Sequence, residues 1–181
     1  MIITNKIEDL IPIYKKGGIF AYPTESVFGI GCNPDDEIAV HKILALKKRL
    51  IHKGLILIAS DFSQVEKYLK PLCDHQKEFT QASETTYIYP ALDSAPQWLT
   101  GDFDSLAVRI TSHPISKKMC EVMGSALVST SANVSGQVPA MSVEEVTHQL
   151  GREIDAVLSG RLGKLSQPSE IRDSISGEKI R

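Results

Sequence analysis

The sequence predicts an α/β fold, a twisted, open, mixed sheet flanked by helices. Short apolar runs such as GLILIA (54–59) and SLAVRI (105–110) read as strands. Amphipathic segments with helix-start and helix-stop residues lie between them, and the two kinds of segment alternate along the chain.

Residues 5–16 suit a helix: Asn5 can cap it, Ile7, Leu10, Ile11 and Tyr14 share a face, and Gly17-Gly18 stops it. A strand at 18–22 ends at Pro23. Asp35 or Asp36 can then cap a helix carrying Ile38, Val40, Ile43, Leu44 and Leu46. GLILIA reads as a buried central strand, residues 61–69 and 74–82 as helices, and TTYIYPA (85–91) and SLAVRI as further strands. Pro114 opens a helix through Met123, ALVST (126–130) returns as a strand, and Ser142 to Glu145 has capping-box spacing for a helix ending near Gly151. AVLSG (156–160) and the segment around Ile171 add short strands, with mobile loops expected at 133–140 and 160–170. No repeat or long linker divides residues 1–181, so a single domain is expected.

Charged residues at 23% and hydrophobic ones at 42% fit a water-soluble protein. No apolar run is long enough to span a bilayer, and MIITNKIEDL lacks a signal-like segment, so no membrane partner and no export are expected. Cys32, Cys73 and Cys120 are odd in number and far apart, which favours a reducing cytoplasm and three small buried apolar residues. The net charge of −2 gives no overall push toward nucleic acid, although the cations are clustered. There is no phosphate-loop motif, no dinucleotide fingerprint beyond Gly29-Ile30-Gly31, and no nucleophile elbow. The five histidines show no metal-ligand spacing and read as structural or solvated, so no residue is singled out as a metal ligand.

Three constellations remain. Lys47, Lys48, Arg49 and Lys53 crowd cations between an apolar helix and a buried strand. They either complement a helix C-terminus or bind an anion, and Lys47 and Arg49 serve one anion only if the helix ends there. In LVSTSANVSG (127–136), extended geometry projects Ser129, Ser131 and Asn133 to one side. They either satisfy their own turn or contact phosphate, ribose or a small polar ligand. Arg109 ends an apolar strand and must be paired, with a core carboxylate or with a ligand carboxylate or phosphate. Glu25, in AYPTESVFGIGC (21–32), reads either as support for the basic cluster or as an exposed cap.

In order and spacing, YPTESVFGIGC, KKR (47–49), LAVRITSHP (106–114), STSAN (129–133) and PSEIRD (168–173) resemble the YrdC-like domain family, closest to its short single-domain bacterial form. The resemblance covers nearly the whole chain. It implies the mixed sheet surrounds a concave basic cavity. It also implies an activity: nucleotidyl transfer joining L-threonine, bicarbonate and ATP into threonylcarbamoyl-AMP, with release of pyrophosphate and Mg²⁺ bound through the ATP phosphates. The product would be handed to the complex that threonylcarbamoylates tRNA.

Residue by residue, the resemblance implies that Lys47 and Arg49 carry catalysis by neutralising ATP phosphates. Thr24, Arg109, Ser129 and Ser169 would bind threonine, and Ser105, Ser131, Asn133 and Arg181 the nucleotide. The family's W-P-G-P before the strand at Thr86 is replaced by Gln81-Ala82-Ser83-Glu84, and Leu50 stands where Pro usually follows K-x-R. Two other functions share these residues. One is an RNA-binding or ribosome-maturation factor using the basic cluster, with weak RNA affinity. The other is a diverged nucleotide-binding paralogue with an altered substrate.

Overall fold

The computed structural model describes residues 1–49, 51–165, 167 and 169–180. Its strands are β1 (Ile2–Thr4), β2 (Phe20–Pro23), β3 (Phe28–Gly31), β4 (Ile56–Ala59), β5 (Thr86–Pro90), β6 (Ser105–Ile110), β7 (Leu127–Ser131), β8 (Ala156–Leu158) and β9 (Ile171–Asp173). The helices are α1 (Ile11–Lys15), α2 (Glu37–Leu46), α3 (Asp74–Lys77), α4 (Gln97–Thr100), α5 (Pro114–Met123) and α6 (Val143–Leu150). Among the described residues the strands make one sheet in the order β1-β8-β2-β3-β7-β4-β6-β5-β9. Parallel pairs (β1/β8, β2/β8, β4/β6, β5/β9) mix with antiparallel ones (β2/β3, β3/β7, β4/β7, β5/β6), so the predicted α/β fold with a mixed sheet is the one found. No helix among the described residues is long and apolar enough to cross a membrane.

The structure departs from the expected elements where local chemistry competes with periodicity. The helix expected from residue 5 begins as a 3-10 turn at Ile7–Leu10 and becomes α-helical only at Ile11, without a side-chain cap from Asn5. Pro12 is the cause: it has no N–H to give the preceding turn and is tolerated only in a first helical turn. Residues 61–69 form two 3-10 turns, because Leu69 turns extended and bridges to Ala91. Residues 74–82 hold only α3 and a 3-10 turn, because Gln81 is extended and the Ser83 N–H bonds the Ile110 carbonyl. Ile38 was expected on the buried face of α2 and is 71% exposed, and Cys73 is exposed at the N-cap of α3.

The largest addition is the β2–β3 hairpin. Pro23 does not stop the strand. It pairs with Phe28, beyond the reach of β8, which pairs only with Phe20 and Ala21, so its missing N–H leaves no ladder bond unmade. β1, a three-residue edge strand beside β8, was also not foreseen.

One sheet face carries Ala21, Phe28, Ile30, Leu57, Val108 and Val128 and is buried within the larger core, to which α2 and α6 contribute Val40, Ile43 and Val146. The opposite face is covered at one end only. There Phe20, Tyr22, Ile58, Leu127 and Leu158 pack with Leu10, Tyr14, Met119 and Cys120 from the first helical segment and α5. Further along the same face the alternation brings up Ser129 and Ser131 on β7, Ile56 on β4, and Ser105 and Ala107 on β6.

Gly31 lets the Tyr22 ring lie flat against this face, since a Cβ there would sit 2.5 Å from the Val128 carbonyl oxygen and 2.8 Å from Tyr22 Cε1. Gly31→Ala should therefore force the hairpin away from β7 and lower stability by about 1–3 kcal/mol. Denaturant unfolding at constant m reads this, and an unchanged midpoint would show that the hairpin yields freely.

Candidate functional site

α2 runs from Asp36, whose carboxylate accepts the Ala39 N–H at 2.9 Å, to Leu46. It closes with Lys48 N–H to the Ala45 carbonyl and Arg49 N–H to the Leu44 carbonyl, both at 2.9 Å. This is a Schellman closure, and its left-handed position is filled by Lys48 at φ 46° in place of the usual glycine. The break answers the question raised by the spacing of Lys47 and Arg49. The helix ends between them, and both side chains line one basic cleft with Lys48, Lys53, Ser131 and Asn133, of about 430 Å³.

Lys47 is 8% exposed and its ammonium is surrounded by oxygens. Nζ donates to the Ser131 carbonyl (2.7 Å), the Asn133 carbonyl (2.9 Å) and Asn133 Oδ1 (2.6 Å), with Ser131 Oγ at 3.3 Å. Burial, together with the nearby Arg49 charge, lowers its pKa to about 8. Ser131 Oγ donates to Asn133 Oδ1 at 2.7 Å, and Asn133 Nδ2 donates to the carbonyls of Val134 and Gln137. Asn133 thus meets Ser131 because the chain curls after β7, not because the strand continues. Arg49 Nη2 donates to the carbonyls of Gly54 (2.8 Å) and Lys53 (3.1 Å), which turns its guanidinium across the start of β4.

A second cleft, of about 220 Å³, is lined by Thr24, Ser26, Arg49, Ile56, Arg109, Ser129, Ser131, Pro139 and Ser169. Thr24 stands in the hairpin loop with its hydroxyl donating to the Val27 carbonyl at 2.7 Å. Arg109 Nη2 lies 3.1 Å from Glu25 Oε2, with Glu25 buried and the arginine nearly so. Of the two readings of Arg109 the structure shows the core ion pair, and the same side chain also lines the cleft. Glu25 is its support and not an exposed cap. Ser169 Oγ lies 3.0 Å from the buried Thr86 Oγ1. The segment expected as a mobile loop is tied to the hairpin, Gly163 N–H to the Thr24 carbonyl (2.9 Å) and Leu165 N–H to the Glu25 carbonyl (3.0 Å).

Ser105 lines a third, more apolar cleft of about 430 Å³, with Arg49, Lys53, Ile56, Ile88, Leu99, Phe103 and Ile180. Arg49 lines all three clefts. Arg181 lies outside the described residues, as do Leu50 and Pro168. His113 is structural: Nδ1 accepts from the backbone at the start of α5 (3.4 Å), Nε2 lies 3.1 Å from the Arg161 carbonyl, and burial pushes its pKa down. Residue reasoning missed Ser26 and Pro139, and it offered Glu25 as a support without naming Arg109 as its partner. Recognising the hairpin from the two short apolar runs around TES would have placed Ser26 at a loop tip.

In this α/β protein, half of one face of a mixed sheet is lined by hydroxyls and cations. A family model described as "Telomere recombination" (Sua5/YciO/YrdC) matches residues 12–181. The chain belongs to this family. The chain is 46% identical over 172 residues to a threonylcarbamoyl-AMP synthase of Nitrosococcus oceani, covering 93% of each chain. It is 44% identical over 182 residues to a protein of the same name from Vibrio campbellii, covering 98% of each. The crystal structure of P. abyssi Sua5 complexed with L-threonine superposes with a TM-score of 0.85 at 27% identity, covering 95% of this chain. The chain spans about half (53%) of that longer Sua5 chain.

A left-handed lysine costs roughly 1–2 kcal/mol against glycine, before glycine's own entropy is counted. Lys48→Gly should therefore leave Lys47 and Arg49 in place and raise stability by up to about 1 kcal/mol. A lowered melting temperature would show that the Lys48 side chain holds the loop.

Proposed function

We propose that this chain is a threonylcarbamoyl-AMP synthase, using L-threonine, bicarbonate and ATP and releasing pyrophosphate. The observation that carries the reading is the meeting of three clefts at Arg49, one lined by hydroxyls and Arg109, one by lysines, one largely apolar. We take the three together as one concave basic cavity in a single domain. Relatives of that name, aligned over nearly the whole chain, support the reaction. A Sua5 crystallised with L-threonine supports the amino acid.

Threonine occupies the second cleft, with its carboxylate on Arg109 and its remaining groups facing Thr24, Ser129 and Ser169. The Thr24 hydroxyl hydrogen is spent on Val27, so toward a ligand Thr24 is an acceptor. That suits the amine or hydroxyl of the amino acid. Lys47 and Arg49 neutralise the phosphates, Ser131 and Asn133 line the phosphate cleft and fix the Lys47 ammonium there, and Ser105 reaches the rest of the nucleotide, a role the resemblance also gives Arg181. A carbamate oxygen then bonds to the α-phosphorus as the bond to the departing pyrophosphate breaks. That step needs aligned anions and fixed donors more than a strong base, which is why no nucleophilic cysteine or histidine is required.

The donors present fit a divalent cation carried by the nucleotide. Among the described residues no three His, Cys, Asp or Glu side chains converge, and Glu25 in the cleft wall is engaged by Arg109 and Thr111. Mg²⁺ on the phosphates would supply further charge neutralisation. The product passes to a tRNA threonylcarbamoyl transferase, and the cysteine pattern keeps the cytoplasm as the expected location.

Purified protein with ATP, bicarbonate and labelled threonine should release pyrophosphate only when threonine is present. No turnover beside an active relative overturns the reading, and turnover with another amino acid alone indicates a diverged substrate. The Lys47 pKa of about 8 adds a pH signature. Above that pH the free enzyme loses the charge, so kcat/KM for ATP should fall with an apparent pKa near 8, while Lys47→Arg moves the limb to higher pH. The unfolded chain keeps this proton to the usual lysine range. Stability should therefore rise as pH passes through 8, opposite in sign to the activity.

A further inference from the structure

Among the described residues Glu25 is the only buried carboxylate, and the reaction gives it no task. Its Oε1 accepts the Thr111 hydroxyl at 2.6 Å, and its Oε2 lies 3.1 Å from Arg109 Nη2. Glu25 Oε2 and Arg109 Nε are both buried with no hydrogen-bond partner among the described residues. The pair is thus held by charge, and the Arg109 side chain it orients lines the amino-acid cleft. The same residue anchors the opposite wall by its backbone. Its carbonyl receives the Leu165 N–H, and Gly163 packs so closely that a Cβ there would sit 2.6 Å from the Glu25 carbonyl oxygen. That segment leads to Ser169.

We propose that Glu25 is a positioning residue for the amino-acid substrate: its carboxylate sets the Arg109 guanidinium, and its backbone registers the segment carrying Ser169. The inference rests on the proposed function and deepens it. A carboxylate beside Arg109 also has an electrostatic consequence. Its charge offsets that of the arginine, so the cleft selects a substrate carboxylate by the fixed orientation of the guanidinium and not by net attraction. Simple anions are therefore poor competitors. Without Glu25, Arg109 is a buried, uncompensated cation that takes any small anion.

Glu25→Gln keeps the shape and can still accept from Thr111, but it presents an amide to Arg109 without a charge. The expected result by calorimetry is a threonine Kd weakened by about tenfold or more, the size of one lost charge-assisted contact. The ATP Kd should change less than about twofold, chloride should now compete with threonine, and Glu25→Asp should recover part of the affinity. A merely structural role would lower the melting temperature and both affinities together, without chloride sensitivity. Unchanged or tighter threonine binding by Glu25→Gln overturns the proposal, the latter marking Glu25 as a competitor of the substrate.

If Glu25→Gln does not fold, Thr111→Val removes one support of the carboxylate and should weaken threonine binding selectively by a few-fold, and equal loss for both ligands overturns the idea. Wild-type protein that binds threonine but does not turn over refutes the reaction and leaves the Glu25 measurement valid. Wild-type protein that binds no threonine refutes both.

Discussion

The buried ammonium of Lys47 ties the end of α2 to the end of β7, and the basic side of the site depends on how that charge is accommodated. A lysine taken out of water needs oxygen around it, and here the oxygens are the carbonyls of Ser131 and Asn133 and the Asn133 amide. To reach them the helix must stop at once, which the left-handed Lys48 accomplishes. The turn after β7 must also curl so that its carbonyls face α2. Each side of the contact thus dictates the other. The strained Lys48 backbone stands where strain is commonly found, beside a ligand cleft.

Two cations, Lys47 buried and Arg109 nearly so, are handled in opposite ways. Lys47 is solvated by neutral oxygens, so its charge remains available to a polyanion, at the cost of a lowered pKa. Arg109 is matched with Glu25, so its wall of the cleft is close to neutral. On the proposed function, a triphosphate meets the first arrangement and a zwitterionic amino acid, with no net charge to attract, meets the second. The division of labour follows from which partner each cation meets, since Lys and Arg alone do not distinguish the two ligands.

The clefts exist because one sheet face is only half covered. Large residues (Phe20, Tyr22, Ile58, Leu127) occupy the end beneath the first helices and α5, and small or polar ones (Gly29, Ser105, Ala107, Ser129, Ser131) the other. A change in side-chain size along a shared face makes the floor of a pocket. The period-two alternation predicted for the strands already contained that change, but not the order in which they pair.

By itself the sequence determined the alternation of strands and helices, the bounds of SLAVRI as β6 and of the helix from Pro114 to Met123, and the side-by-side projection of Ser129 and Ser131. These are local consequences of side-chain period and caps, which nearby residues enforce. It also supplied the ordered motifs that resemble the YrdC-like family. Tertiary structure decided the rest: that Pro23 lies inside a hairpin, that the segments at 61–69 and 74–82 yield to sheet contacts, and that Glu25 meets Arg109 across 84 positions of chain. Such pairings join residues remote in the chain. They are fixed by which strands lie side by side and by the cost of leaving a buried charge alone, and no short-range pattern encodes either.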